Sequence, residues 1–196
     1  RAKIRSGIRD LTIHYPEQVA DVVEYPWTIQ CNDSPAAGNT SVVNVTMTNP
    51  CYGIRIGPWG NWLHYIRNVF GTPLRNGIWL SRTSDVGRII NVHFEPKYWS
   101  SSGFAGSPTE SEIEKYTLTQ GEGISIGLTD WESISDVSLV GYKIGIRLFP
   151  GLGGDGKPYG GNGVIYNLRV EKARIGLLFQ ETKPEGFAVT RDRKSV

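Results

Sequence analysis

The sequence predicts an all-β chain of stacked parallel coils, and three observations carry that prediction. One short phrase recurs six times: a β-branched or aliphatic residue, a spacer, an Asn or Asp, an aliphatic residue, a spacer and, in most copies, another apolar residue. Its polar centres are Asp10, Asn44, Asn68, Asn91, Asp136 and Asn167. A glycine falls nine places after four of these centres (Gly53, Gly77, Gly145 and Gly176), and it opens Gly-Ile-Arg-Ile, Gly-Ile-Trp-Leu, Gly-Ile-Arg-Leu and Gly-Leu-Leu-Phe. Parity is the third observation. Inward residues of one straight strand differ by even numbers, yet the apolar places around each polar centre differ by three, so the chain must bend there. Asn and Asp tolerate the left-handed conformation that a one-residue corner requires, and stacked copies would form a ladder of these side chains.

Each coil can be justified in order. The first has Ile8 two places before its corner and Leu11 and Ile13 after it, followed by an insert near residues 15–26 and the strand around Ile29. The second carries Val42, Val45 and Met47, then Ile54 and Ile56 after Gly53; the third carries Ile66 and Val69, then Ile78 after Gly77. In the fourth, Ile89, Val92 and Phe94 precede a long insert near 96–120 and the phrase Gly-Ile-Ser-Ile from Gly123. Ile134, Val137 and Leu139 build the fifth, and Ile165, Leu168 and Val170 the sixth. Such a fixed internal register means a coil built by stacking. Further inserts near 57–65 and 150–163 follow the glycine-led strands, while the Asn corners receive none. All 196 residues therefore read as a single domain, with 24 Gly and 11 Pro as its punctuation. Both ends read as running coil without polar caps, which predicts an excerpt of a longer solenoid.

This is the pattern of a right-handed parallel β-helix of about six coils with an Asn/Asp corner ladder. From about Ile8 to Phe179 the Asn-corner and Gly-Ile phrases resemble the pectate-lyase-like superfamily of such helices. Tyr15-Pro-Glu-Gln18, Tyr25-Pro-Trp-Thr-Ile29 and Asp85-Val-Gly-Arg88 through Asn91-Val-His-Phe94 are similar to uncharacterised members related to glycoside hydrolase family 28. The resemblance implies a carbohydrate-active protein that is secreted, periplasmic or held at the cell surface. It also implies a saccharide groove on the Gly-Ile strand face, walled by the flanking loops. The family's Asn-Thr-Asp, Asp-Asp, Gly-His-Gly and Arg-Ile-Lys motifs do not occur in this sequence.

Alternation lists the outward residues of the Gly-Ile strands as Thr28, Arg55, Trp79, Ser125, Arg147 and Leu178, then Gln30, Gly57, Ser81, Gly127, Phe149 and Gln180. None is a carboxylate, whereas glycoside hydrolysis ordinarily needs two. The turns after the strands supply Asp85, Asp130 and Glu132 as candidate acid and base. As residues in turns they equally suit backbone capping. Trp59, Trp62, Trp79 and Trp131 are the candidate stacking residues, since flat rings with polar edges suit the C–H faces of sugars. Arg55 and Arg147 would suit an acidic sugar. The glycine-rich run 151–163 reads as a lid at the groove edge, with Asp155 or Tyr159 touching ligand.

Three readings follow: a glycoside hydrolase cleaving a polysaccharide, a polysaccharide lyase on a uronate-containing glycan, or a non-catalytic glycan-binding, tailspike-like coil. No cofactor is expected, with calcium needed only in the lyase reading. His14, His64 and His93 have no ligand spacing and read as structural or exposed, so no metal site is assigned. A formal charge of +2, with the basic residues scattered, argues against nucleic acid as a partner, and no apolar run approaches a membrane span. Cys31 and Cys51 lie close to one coil apart and fit either a disulfide or two small residues in the wall. The oligomeric state is left open.

Overall fold

The computed structural model describes residues 6–31, 37–191 and 193–195. At all six polar centres the backbone is left-handed, with φ between +52° at Asn167 and +56° at Asp10. A left-handed residue reverses the alternation of a strand. Residues two before and one after each corner therefore both face inward: Val42 and Val45, Ile66 and Val69, Ile89 and Val92, and Ile134 and Val137 are each at most 2% exposed.

These bent strands form one long, all-parallel sheet of eight strands. Its main path runs Gly7–Ile13, Ser41–Met47, Tyr65–Gly71, Arg88–Phe94, Glu132–Val140, Gly161–Glu171 and Thr182–Thr190, and Arg193–Ser195 also pairs with Gly161–Glu171. Register is constant across the middle passes, with Val42 opposite Ile66, Ile66 opposite Ile89 and Ile89 opposite Ile134, and it shifts only where Gly161–Glu171 meets Thr182–Thr190. A second parallel sheet of six strands takes Trp27–Cys31, Tyr52–Ile56, Asn76–Leu80, Glu122–Ile126, Ile144–Leu148 and Ile175–Phe179 in sequence order. A third, short sheet joins Ala37–Gly38, Asn61–Trp62 and Thr83–Ser84. On the first three passes the chain visits the long, second and third sheets in turn and adds one neighbour to each, and on later passes it continues to build the long and second sheets. An all-β protein of long parallel sheets is the result, compatible with a β-helix.

One apolar core fills the space between the long and second sheets, with Met47, Phe94, Leu139 and Val170 from the former and Ile54, Ile78, Ile124 and Ile146 from the latter. The fit is tight at Gly77, where an added Cβ would lie 2.4 Å from the Phe94 ring. Removing an isoleucine side chain from such a core costs about 2–5 kcal/mol.

The insert near 96–120 departs from the loop expected. It forms two helices, Lys97–Ser100 and Glu110–Gln120. Thr109 and Glu112 make a reciprocal capping box at the start of the second. Ile113 and Trp99 then pack with Leu74 in a small satellite core, so Trp99 is a packing residue at 1% exposure. No helix among the described residues is long and apolar enough to cross a membrane. Cys31 and Cys51 are free thiols, and burial pushes Cys51 up to about 11. Cys31 pairs across the sheet with Ile56 rather than with a residue near Cys51.

The corner side chains form a ladder. Asn44 Nδ2 donates to Asp10 Oδ1 at 2.7 Å, Asn68 to Asn44 at 2.8 Å, Asn91 to Asn68 at 2.9 Å and Asn167 to Asp136 at 2.7 Å. The rung between Asp136 and Asn91 is missing because an ionised carboxylate only accepts. Asp136→Asn should add it and raise stability by about 0.5–1.5 kcal/mol, the net worth of one hydrogen bond. Urea unfolding checks this, and an unchanged or lower midpoint would count against the ladder as a source of stability.

Candidate functional site

The outer face of the second sheet is built from small bends at glycine. Pairing runs Tyr52 to Asn76 and Ile54 to Ile78 but skips the glycines between them. Gly77 and Ile78 both face the core, so parity reverses here as it does at the Asn corners. The residue before each glycine therefore shares the outer face with the residue two places after it. This puts Glu122 beside Ser125 on the face that alternation leaves without a carboxylate. Applying the three-residue spacing of the Asn corners to the glycines would have found it.

Glu122 anchors a polar run that crosses four passes of the chain. Asn76 Nδ2 donates to Ser125 Oγ at 2.8 Å, and the Ser125 hydroxyl donates to Glu122 Oε2 at 2.6 Å. Arg147 donates from Nη1 to Glu122 Oε1 at 3.1 Å and from Nε to Gln180 Oε1 at 2.7 Å. Aromatic rings run alongside. The Arg55 guanidinium lies 5.1 Å from the centroid of Trp79, whose ring is 5.6 Å from Phe149, and Arg147 lies 5.4 Å from Phe149. Trp79 and Phe149 stand on passes either side of the one carrying Ser125 and Gly127, and those small residues let the rings meet. At Gly127 an added Cβ would sit 2.8 Å from the Phe149 ring. Further along, the Trp27 and Tyr52 rings meet at 5.0 Å, tilted by 36°, and burial together with the Glu24 acceptor pushes the Tyr52 phenol up to about 12.

Register corrects one expected position. Gln30, and not Thr28, pairs with Arg55, so the row reads Gln30, Arg55, Trp79, Ser125, Arg147, Leu178. The insert near 15–26 hides this two-residue offset, because no Asn-to-Gly spacing carries through it.

The turn residues form a second group at the third sheet. An open depression of about 390 Å³ is lined there by Arg82, Ser84, Asp130, Gly154 and Lys183 among others. Asp130 Oδ1 accepts from Lys183 Nζ at 2.9 Å. Trp59 is half exposed, with the Arg82 guanidinium 5.8 Å from its ring, and Trp131 is 55% exposed. Trp62 lies over Gly38, where an added Cβ would be 2.1 Å from the indole. Asp85 is exposed and left-handed at φ +54°, outside the lining of the depression. Glu132 is not at the surface at all. Trp131 is itself left-handed at φ +54°, which turns the next side chain inward, where at 1% exposure it bonds to His64. The structure thus joins Arg55, Trp79 and Arg147 on one face, gathers Trp59 and Asp130 near the depression, and separates Glu132 from both.

Asp155 and Tyr159 of the glycine-rich run bond to each other at 2.8 Å within a small hairpin, Gly151–Leu152 with Pro158–Tyr159. Among the described residues, no group of three or more His, Cys, Asp or Glu is placed to hold a metal ion. Comparison with family models, with curated proteins and with solved structures gives no match.

The polar run predicts its own test. Ser125→Ala removes the nearer acceptor of the buried Asn76 amide, leaving it only Glu122 Oε2 at 3.5 Å, and removes one donor to Glu122. It should cost about 1–2 kcal/mol, the penalty for an unsatisfied buried group, read from the shift in the urea midpoint at constant slope.

Proposed function

We propose that this is a carbohydrate-active protein, a right-handed parallel β-helix like those it resembles, that lays a polysaccharide along the outer face of its second sheet. One observation carries the reading: Trp79, Phe149, Tyr52 and Trp27 alternate on that face with Arg55, Arg147, Glu122 and Gln180. Rings stack on the apolar faces of sugars, while the charged and amide groups meet their hydroxyls. Trp59, Trp62 and Trp131 extend the surface along the third-sheet turns. Such a protein would act outside the cell, where polysaccharides are met.

Hydrolysis is the chemistry favoured by the depression at that edge, since Asp130 presents a carboxylate there beside Arg82 and Lys183. Two carboxyl groups must flank the scissile bond, about 5–9.5 Å apart. With Glu132 inside the core, the pair on this side is Asp130 with Asp85. A lyase would instead place Arg55 or Arg147 against a uronate.

A panel of neutral and uronate-containing polysaccharides tests both layers. Trp79→Ala should weaken binding tenfold or more, about 1.4 kcal/mol, as loss of a buried aromatic anchor does. Equal affinity of the variant and the parent would show that the second sheet is not the binding face. Asp130→Asn should abolish release of reducing ends while leaving binding intact, and near-ultraviolet absorbance of an unsaturated product would point to elimination instead.

A further inference from the structure

His64 and Glu132 meet in the interior. His64 Nε2 lies 3.0 Å from Glu132 Oε1, and the side chains are 0% and 1% exposed. Taking two ionisable groups out of water costs more than a single bond returns unless the geometry is well supported. The pair is therefore an expensive way to fill the interior, where the other buried polar side chains on this side are uncharged Thr and Asn. The two residues are not on neighbouring strands. Tyr65 pairs with Arg88 and Arg88 with Ser133, so the residue between His64 and Glu132 in the stack is Gly87. An added Cβ at Gly87 would lie 2.0 Å from His64 Cε1 and 2.7 Å from Glu132 Oε2. Glycine at this position is what allows imidazole and carboxylate to meet across an intervening pass.

Each partner also directly follows a left-handed turn that bears a tryptophan. Trp62 precedes Leu63, at φ +53°, and then His64; Trp131, at φ +54°, immediately precedes Glu132. A bulky or aromatic residue in that conformation is strained and persists only where its surroundings fix it. A bond between the next two side chains is such a fixture, and it ties the two turns to one another.

We infer that His64 and Glu132 are a positioning pair, clamping the Trp62 and Trp131 turns at a fixed separation for a bound glycan. This rests on the reading that those tryptophans extend the saccharide surface. Glu132 thereby moves from candidate acid to a residue that acts through its neighbour.

The test uses the whole chain labelled with 5-fluorotryptophan, read by fluorine NMR beside glycan affinity. Glu132→Ala and Gly87→Ala should both shift the Trp62 and Trp131 resonances, leave that of Trp79 in place and weaken affinity about tenfold. Glu132→Gln keeps the Oε1 acceptor and should restore both readouts. Should Glu132→Ala not fold, His64→Phe keeps a flat ring at the site, removes the bond and is read in the same way. Unmoved resonances in a folded Glu132→Ala or His64→Phe protein would overturn the inference, as would a Glu132→Gln protein that behaves like Glu132→Ala. If the parent protein binds no glycan on the panel, the functional reading fails, while the resonances still decide whether the pair positions the turns.

Discussion

One backbone constraint organises this molecule: a residue in the left-handed region reverses the alternation of the strand that contains it. A straight strand shows each face every second residue, whereas these strands turn inward on both sides of a bend. Asn and Asp meet the constraint at low steric cost. Their amides then bond along the stack, so the residue that permits the bend also fastens it to the next pass. The ladder is directional, with each later amide donating to the earlier side chain, and it stops where a carboxylate stands in the donor's place. Inward aliphatic residues follow from the same geometry, and so does the core between the two sheets.

The Asn corners were legible in the sequence because the polar residue, its aliphatic neighbours and the spacing all repeat. The glycine bends were legible as boundaries and missed as corners. Since Gly77 faces the core beside Ile78, the face assigned by simple alternation is right after each glycine and wrong before it, which is how Glu122 escaped notice. Arg55, Trp79 and Arg147 lie after their glycines, and all three stand on the expected face. The bends next to the third sheet were not legible at all. Asn39, Leu63, Asp85, Val86 and Trp131 are left-handed there, and they share no side-chain chemistry. Their conformation is imposed by the stack and by pairs such as His64 with Glu132, so no local pattern announces it. The candidate acid at position 132 was misplaced for that reason.

Seven of the buried polar side chains stand on the same third side, with others such as Thr48, Asn49, Thr72 and Thr117 elsewhere. Thr40, Asn61, His64, Thr83, Thr129, Glu132 and Asn162 are all at most 5% exposed, while the walls of the long and second sheets facing the core are aliphatic. Buried polar groups bind strongly to one arrangement and tolerate displacement poorly. An aliphatic wall allows neighbouring passes to slide or repack at modest cost. The polar side therefore fixes where each turn stands relative to the next, and the apolar sides supply the bulk of the burial.

The division bears on how a flat surface could recognise a polymer. On the second sheet, side chains of successive passes are held about 4.8 Å apart by strand pairing, so the outer rows have a spacing that no loop rearrangement can alter. The small residues Ser125 and Gly127 interrupt the aromatic row and let Trp79 and Phe149 close over them, which makes a continuous apolar strip out of rings that the coil spacing alone would keep apart. Polar groups along the strip are already bonded to one another, from Asn76 through Ser125, Glu122 and Arg147 to Gln180. Their orientations are thus set before any ligand arrives, and binding there spends little on ordering side chains. A ligand that gained from this arrangement would be extended, and it would present alternating apolar and hydroxylated surfaces. A compact molecule could touch only part of the strip and would gain nothing from its length.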